Sequence, residues 1–411
     1  MLTKAEKNLL TEVLNLPGYH VVNKQVIEEF GLILDIENSC RYASCPRCGR
    51  TSHKIHQNHY HIIKDLSWNQ QNVFLRINRR QFKCHFCNKP FSEEIEFVTK
   101  RRGYTKRYAE KILMDVIASN ILSVSQRSNL SQYQIQKILK DAGKELIKNK
   151  PEGLKDLGID EIAWVKGQGN YCAVLVDLET HKPICLVKGR TQEILSEVFE
   201  SWGVEVLEGI KRVSIDLWSG YRSLVERLMP NAEVIADRFH VMKQINDELD
   251  SERKKEIREA TEIKNKEERE KKLDGLKKSK YTLLKNEENL NEDQKERLEK
   301  VKSVSPRLAA IHKLKEDFRN IFESSENGST GTLLLLDWMK SAEKYFPKSR
   351  GTIIRWFGEI TAYFEHRISN GIVEGINNKL KLIKRSGFGF RNFDNFNLRS
   401  LLSWEIKAIF T

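Results

Sequence analysis

No stretch of this chain approaches the roughly 18 consecutive apolar residues that a membrane-spanning helix needs. The longest, Tyr171 to Val176, stops at Asp177. The N-terminus, Met1-Leu2-Thr3-Lys4-Ala5-Glu6-Lys7, mixes acid with base and shows no apolar segment, so no export signal is expected. Cysteines are few and odd in number, seven in 411 residues. That points to a reducing cytoplasm and away from a disulfide framework. No repeat of solenoid type is visible. Membrane proteins, secreted disulfide scaffolds and repeat arrays are set aside by these absences.

Positive charge is what the chain has in excess. Lys plus Arg number 70 against 57 Asp plus Glu, a formal net charge of +13. Such a balance makes a polyanion the first partner to consider, beside the plainer reading of a lysine-rich surface. The length suggests two or three domains. Residues 1–38 read as a short leader with one or two small elements, 39–98 hold most of the cysteines, and 99–150 read as helices. From 151 the pattern turns to short β-rich runs: Leu157–Val165, Tyr171–Asp177, Pro183–Val187, Arg212–Leu217 and Glu233–Ala236, with a helix predicted over Gln192–Val206. Asp247 to about Val301 is dense in Lys and Glu of mixed order and reads as a solvated helical hairpin. Helical sequence then continues to about Phe346.

Cys45-Pro46-Arg47-Cys48 and Cys84-His85-Phe86-Cys87 are two CxxC pairs, 35 residues apart. Each can place two thiolates on one edge of a metal, and two such knuckles complete a closed four-thiolate zinc site, which holds a fold and does no catalysis. The rival reading is a redox CxxC. Cys40 and the histidines His53, His56, His59, His61 and His85 are possible substitute ligands. Arg76, Arg79, Arg80 and Lys83 would give this zinc ribbon a basic face suited to phosphates. Ser131-Gln132-Tyr133-Gln134 matches a capping box, and Ile135, Ile138, Leu139 and Ala142 continue as an inward stripe. With helices near Lys106–Asn120 and Val124–Arg127 this is the pattern of a helix-turn-helix. Gln132, Tyr133, Gln136 and Lys137 would face base edges; a plain three-helix linker is the alternative.

Phosphodiester chemistry with paired Mg²⁺ needs carboxylates from separate elements. Asp160 interrupts one strand pattern and Asp216 ends another. Asp177 and Asp237 also adjoin strand patterns. A later helix, with Asn370 as a plausible N-cap, buries Ile372, Ile376, Leu380 and Ile383. It carries Glu374, Asn378, Lys381 and Arg385 along another face, where metal could sit at one end and DNA phosphates at the other. Trp218, Tyr221, Trp338, Trp356 and Phe357 fit either a core or a base-stacking role.

The chain resembles the DDE transposases of the ISL3 family of bacterial insertion sequences. The resemblance covers nearly the whole chain. It is carried by CPRCG and CHFC, LGIDEIAW at 157–164, VSIDLWSGY at 213–221, VIADRFHVMKQIN at 234–246 and SNGIVEGINNKLKLIKRSGFGFRNFDNF at 369–396. It implies an α/β RNase H-like catalytic core interrupted by an all-α insertion and preceded by a zinc ribbon and a helix-turn-helix domain. The implied boundaries are 1–38, 39–98, 99–150, 151–242, 243–350 (the insertion) and 351–411. Asp160, Asp216 and Glu374 match the catalytic triad that holds Mg²⁺ or Mn²⁺, with Cys45, Cys48, Cys84 and Cys87 on structural Zn²⁺. Asp237 and His240 resemble a D-x-x-H signature that supports the site or holds DNA. The implied reaction is DNA cleavage and strand transfer. Its partners are the terminal inverted repeats and target DNA, and its setting is a dimer or larger synaptic complex in the bacterial cytoplasm, at the nucleoid. A DNA-binding regulator with an inactive core and a nuclease without strand transfer are the alternatives.

Overall fold

The computed structural model describes residues 2–146, 150–165, 170–368 and 371–409. The chain forms two compact units, Met1–Lys144 and Glu145–Thr411.

The first unit runs α1 (Lys4–Leu14), β1 (Tyr19–Ile27), β2 (Gly31–Asn38), β3 (Ala43–Ser44), β4 (Thr51–Ser52), β5 (Ile55–Trp68), β6 (Gln71–Lys83), β7 (Pro90–Ser92), α2 (Lys106–Ala118), α3 (Ile121–Ser128) and α4 (Gln132–Leu146). The long β5–β6 hairpin turns at Asn69, whose φ of 52° suits a tight two-residue turn. Its sheet has the order β1-β2-β6-β5, with β7 also on β6. The supposed leader is therefore part of this sheet. Its strand β2 pairs in parallel with β6, and Leu34 and Ile36 join Val73, Leu75 and Ile77 in one core with Leu14 of α1. Val73, Leu75 and Ile77 alternate toward one face of β6, and a face this apolar has to be covered.

One buried carboxylate ties the hairpin to the helices. Asp65 accepts hydrogen bonds from Thr105 Oγ1 at 2.7 Å and Arg107 Nε at 2.8 Å, while Arg107 Nη1 donates to the carbonyl of Leu14 at the end of α1. The predicted capping box at α4 is formed. Ser131 N–H donates to Gln134 Oε1 at 2.9 Å, and Gln134 N–H to Ser131 Oγ at 3.2 Å.

The second unit is built on β8 (Asp156–Val165), β9 (Asn170–Asp177), β10 (Lys182–Lys188), α5 (Gln192–Trp202), α6 (Val204–Gly209), β11 (Arg212–Ile215), α7 (Ser219–Leu228) and β12 (Glu233–Ala236). The sheet order is β10-β9-β8-β11-β12. β8, β9 and β10 are antiparallel, while β8, β11 and β12 run parallel. The helix predicted over 192–206 breaks at Gly203, which sits at φ 89°, a conformation that favours glycine.

Helices follow: α8 (Arg238–Thr261), α9 (Lys266–Leu276), α10 (Ser279–Leu284), α11 (Glu292–Val304), α12 (Pro306–Ser324), α13 (Gly328–Ala342), α14 (Pro347–Arg355), α15 (Phe357–His366), α16 (Gly371–Ser386) and α17 (Phe393–Ile409). The charged tract is therefore not a hairpin but four helices, α8 to α11. Its sparse Leu249, Leu276, Leu283, Leu298 and Val301 are buried in the main core. The expected boundaries at 243 and 350 both fall inside continuous helices, α8 and α14. Glu248 of α8 reaches the N-terminus of α14 and accepts from Lys348 N at 3.0 Å and Ser349 N at 2.7 Å. A carboxylate there satisfies the open N–H groups and the helix dipole. No helix among the described residues is long and apolar enough to cross a membrane.

His312 of α12 is 1% exposed, and burial pushes its pKa down to about 4 from 6.5. The unfolded chain binds the extra proton between those values, so this contribution to stability is present above about pH 6.5 and is lost as pH falls toward 4. We expect the urea midpoint to fall from pH 7 to pH 5, and to fall less in His312→Leu. Parallel denaturation curves at the two pH values check this.

Candidate active site

The cysteine knuckles are hairpin tips. Cys45-Cys48 joins β3 to β4 and Cys84-Cys87 joins β6 to β7. Cys45 N–H donates to the Arg50 carbonyl and Cys84 N–H to that of Lys89, and left-handed Gly49 and Asn88 turn the two tips. The four sulfurs lie within 4.8 Å of one another, with Cys45 to Cys87 at 3.5 Å and Cys48 to Cys84 at 3.6 Å. Thiolates about 2.3 Å from a tetrahedral zinc stand about 3.8 Å apart, so the set fits zinc with little adjustment. The backbone N–H of Cys87, seconded by that of Phe86, brings the Cys84 thiol down to about 6. The Arg47 N–H lowers Cys45 in the same way, which favours the thiolate that a metal binds at these two positions, while the neighbouring Cys84 and Cys45 sulfurs push Cys87 up to about 11.

The second centre follows from strand register. Parallel pairing sets Arg212 beside Asp156 and Ser214 beside Gly158, a constant offset that carries Asp216 level with Asp160. On the other side Ile215 pairs with Ala236, so Asp237 comes level with Asp216. Three acids thus stand level across three neighbouring strands, Asp160 in the middle of β8 and Asp216 and Asp237 directly after the carboxyl ends of β11 and β12. Leu157 and Ile159 point into the core shared with α5 and α7. Gly158, Asp160 and Ile162, at alternate positions, face α16. Asp160 Oδ1 accepts from Glu161 N–H at 2.7 Å, and Oδ2 accepts from Asn377 Nδ2 at 2.7 Å. Asp216 Oδ1 accepts from Trp218 N–H at 3.1 Å. Asp237 caps α8. From the first turn of α8, His240 Nε2 lies 3.9 Å from Asp160 and 3.8 Å from Asp237.

Burial pushes Asp216 up to about 6. The positive side of His240 opposes this, and the charges of Glu161 and Asp160 add to it. Among the described residues no Lys or Arg forms an ion pair with Asp160 or Asp216. The row therefore concentrates negative charge that a divalent cation would offset.

α16 lies across β8. Val373, Ile376, Leu380 and Ile383 share a core with Ile162, Cys172 and Val174. Val373 takes the buried place expected of Ile372, which is half-buried, and the proposed N-cap Asn370 lies outside the described residues. A Cβ on Gly158 would meet Val373 Cγ2 at 3.0 Å and Leu178 Cδ2 at 2.9 Å, so glycine there lets the helix approach within two residues of Asp160. Glu374, Asn378, Lys381 and Arg385 form one exposed face. Glu374 is in the first turn, three residues ahead of Asn377. Its carboxylate is not gathered with those of Asp160 and Asp216 as tightly as the four sulfurs are.

Other expectations divide. Gln132, Tyr133, Gln136 and Lys137 are all exposed on α4, opposite buried Ile135, Ile138 and Leu139. Arg76, Arg79 and Arg80 do not form one basic face. Strand alternation sends Arg79 to the side opposite Arg76 and Arg80. Arg76 pairs with Asp35 at 2.6 Å, and Arg80 is sequestered against buried Glu93 at 2.6 Å. Tyr221, Trp338 and Trp356 are core. Phe357 is half-buried and packs against that core, leaving Trp218 as the exposed aromatic of the five. Sequence reasoning missed Asn377. Its signal was the Glu374-x-x-Asn377 spacing, which puts the two side chains one turn apart on a helix.

The ISL3 transposase family model matches residues 157–400. The model for the zinc finger of the transposases of IS204, IS1001, IS1096 and IS1165 matches residues 41–87. Over 406 residues, 96% of this chain and 97% of the relative, the sequence is 24% identical to the transposase for insertion sequence element IS1001 of Bordetella parapertussis. It is 26% identical over 85% of this chain and 82% of the relative to the transposase for IS1557 of Mycobacterium tuberculosis. A 110-residue stretch is 31% identical to a Lactococcus lactis protein named ATP-dependent protease, covering 26% of this chain and 34% of that one.

Metal analysis of the purified chain is expected to find one tightly held zinc per molecule. Cys84→Ser should lose most of it, and the thermal transition of the N-terminal unit should fall with it, because such a small sheet–knuckle assembly takes much of its folding energy from the metal.

Proposed function

Because the chain belongs to the ISL3 family of transposases, we propose that it binds the terminal inverted repeats of an insertion sequence and catalyses metal-dependent DNA cleavage and strand transfer. The observation that carries this reading is the register that levels Asp160, in the middle of β8, with Asp216 and Asp237, directly after the parallel strands β11 and β12. The sheet order β10-β9-β8-β11-β12, three antiparallel strands followed by two parallel ones, supports an RNase H-like core. The helices from α8 to about α14 form its insertion. Asp160, Asp216 and Glu374 would hold two Mg²⁺ or Mn²⁺. When bound, such ions activate water or a 3′-hydroxyl and stabilise the leaving oxygen.

The chain's own groups prepare that site. Asn377 fixes one oxygen of Asp160 and the Glu161 amide fixes the other, so the carboxylate is oriented before anything binds. Trp218 N–H does the same for Asp216. His240 stands within 4 Å of both Asp160 and Asp237, and Asp237 itself anchors α8. Glu374 rides on the helix that carries Asn377, so its approach to the pair is set by how α16 seats on Gly158. The exposed face of α4 and the zinc ribbon would read the repeat ends, and Asn378, Lys381 and Arg385 would hold backbone phosphates near the acids. Two ends must be held together, so a dimer or larger synaptic complex on bacterial DNA is the expected working form.

On DNA bearing the element's own ends, Mg²⁺-dependent cutting is expected to vanish in Asp216→Asn while binding persists. Binding without cutting in wild type, even with a second end supplied, would favour a regulator. Cutting without joined products would favour a nuclease. Asn377→Ala should slow cleavage roughly 10- to 100-fold, as expected when the orienting partner of a metal-binding carboxylate is removed, with DNA affinity unchanged.

A further inference from the structure

The segment between α16 and α17 spends conformational freedom on keeping an aromatic ring in water. Phe388 is 89% exposed, the most exposed large hydrophobic residue among those described. It is held at φ 53°, followed by Gly389 at φ 88°. The left-handed region is unfavourable for a bulky side chain. The backbone is nonetheless fixed there. Gly387 N–H donates to the Ile383 carbonyl at 3.0 Å, Phe388 N–H to that of Arg385 at 3.0 Å, and Gly389 N–H to that of Lys384 at 2.9 Å. Two residues on, Phe390 behaves ordinarily, packing on Phe396 at 5.2 Å between centroids. The turn therefore separates one packed, half-buried ring from one displayed ring.

The displayed ring stands over a groove of about 670 Å³ lined by Trp164, Lys384, Arg385 and Arg391 among others, with no carboxylate in its lining. Trp164 is held edge-on by Phe393 at 5.7 Å. Lys384 Nζ donates to the Ala163 carbonyl at 2.6 Å, which pins the groove's wall to β8. Aromatic faces set among cations match the two halves of a nucleotide, a base to stack and a phosphate to pair.

We infer that Phe388 and the groove beneath it form a stacking platform for an unpaired nucleobase of the DNA strand. This rests on the reading of the chain as a DNA-processing enzyme. The platform's place is set by α16. Arg385 follows Glu374 by eleven residues of one continuous helix, about 16 Å at 1.5 Å per residue. With 3.4 Å per nucleotide along a strand, a phosphate at Arg385 lies roughly five nucleotides from the phosphate at the acids, and the base stacked on Phe388 lies at or just beyond it. The exposed Lys381 and Arg385 lie along that path. A second copy of this chain is the poorer occupant, because the patch carries three cations and each copy has a net charge of +13.

The test compares full-length wild type, Phe388→Ala and Phe388→Trp for binding to end DNA scanned with single abasic sites, with Ca²⁺ in place of Mg²⁺. Phe388→Ala is expected to weaken binding to intact ends roughly 5- to 100-fold, the range for one lost base–aromatic stack, and Phe388→Trp to restore it. An abasic site about five nucleotides from the cleaved phosphate should weaken wild type equally and erase the difference between wild type and Phe388→Ala. Unchanged affinity in Phe388→Ala, or a loss equal at every abasic position, overturns the platform. So does a change of oligomeric state in Phe388→Ala by sedimentation, which would assign the ring to a second copy. Asp216-dependent cutting of the same ends and binding to a dT₂₀ strand separate the two readings. Cutting with a silent Phe388 leaves the transposase reading standing and removes the platform. Phe388-dependent binding of dT₂₀ without cutting or selection of ends does the reverse.

Discussion

Parallel pairing of β8 with β11, and of β11 with β12, fixes where Asp160, Asp216 and Asp237 stand. Side chains alternate along a strand, so a slip of one residue would carry Asp216 to the opposite face of the sheet. The register is held by burial on both faces. Leu157, Ile159, Val213, Ile215 and Ile235 are all essentially inaccessible to water, and any slip would push apolar side chains against the wrong layer. Arg212 and Asp156, paired at 2.6 Å, mark the same register at the strands' other end. The placement of the three acids is thus a by-product of how the core packs.

α16 shows the same economy from the helical side. One face is oil, shared with β8 and β9. The adjoining face is polar and leads from Glu374 to Arg385. Asn377 sits between the two, 6% exposed, where its amide reaches Asp160 from within the packing layer. A side chain in that place is positioned by the surrounding hydrocarbon and needs no flexible reach. Gly158 is the counterpart on the strand, because only a residue without a Cβ lets Val373 settle so close.

Much of this was legible in residue order. The five β-rich runs of the second unit match the strands closely, since fully buried strands leave dense Val and Ile runs bounded by turn residues. The α4 capping box was legible because it is a local reciprocal contact. The two CxxC pairs were legible because metal geometry leaves few spacings. What stayed hidden was non-local. Nothing in residues 19–38 announces a parallel partner forty residues later. Nothing in the arginines of β6 reveals that Asp35 and Glu93 neutralise two of them. The charged tract from 247 hid its buried residues because a few apolar side chains spread over four helices and their connections leave little periodicity to detect. Asn377 was in view inside a motif, yet its role depends on a contact 217 residues away.

α8 is capped by Asp237, the third acid in the row, and runs without interruption from Arg238 to Thr261, about 36 Å at 1.5 Å per residue. Its first turn carries His240, and Glu248 braces α14. Farther along, its length packs against α9, α10 and α12. Such a rod carries packing at its far end back to its first turn: the seats of α9, α10 and α12 along its length fix the angle at which His240 meets Asp160 and Asp237.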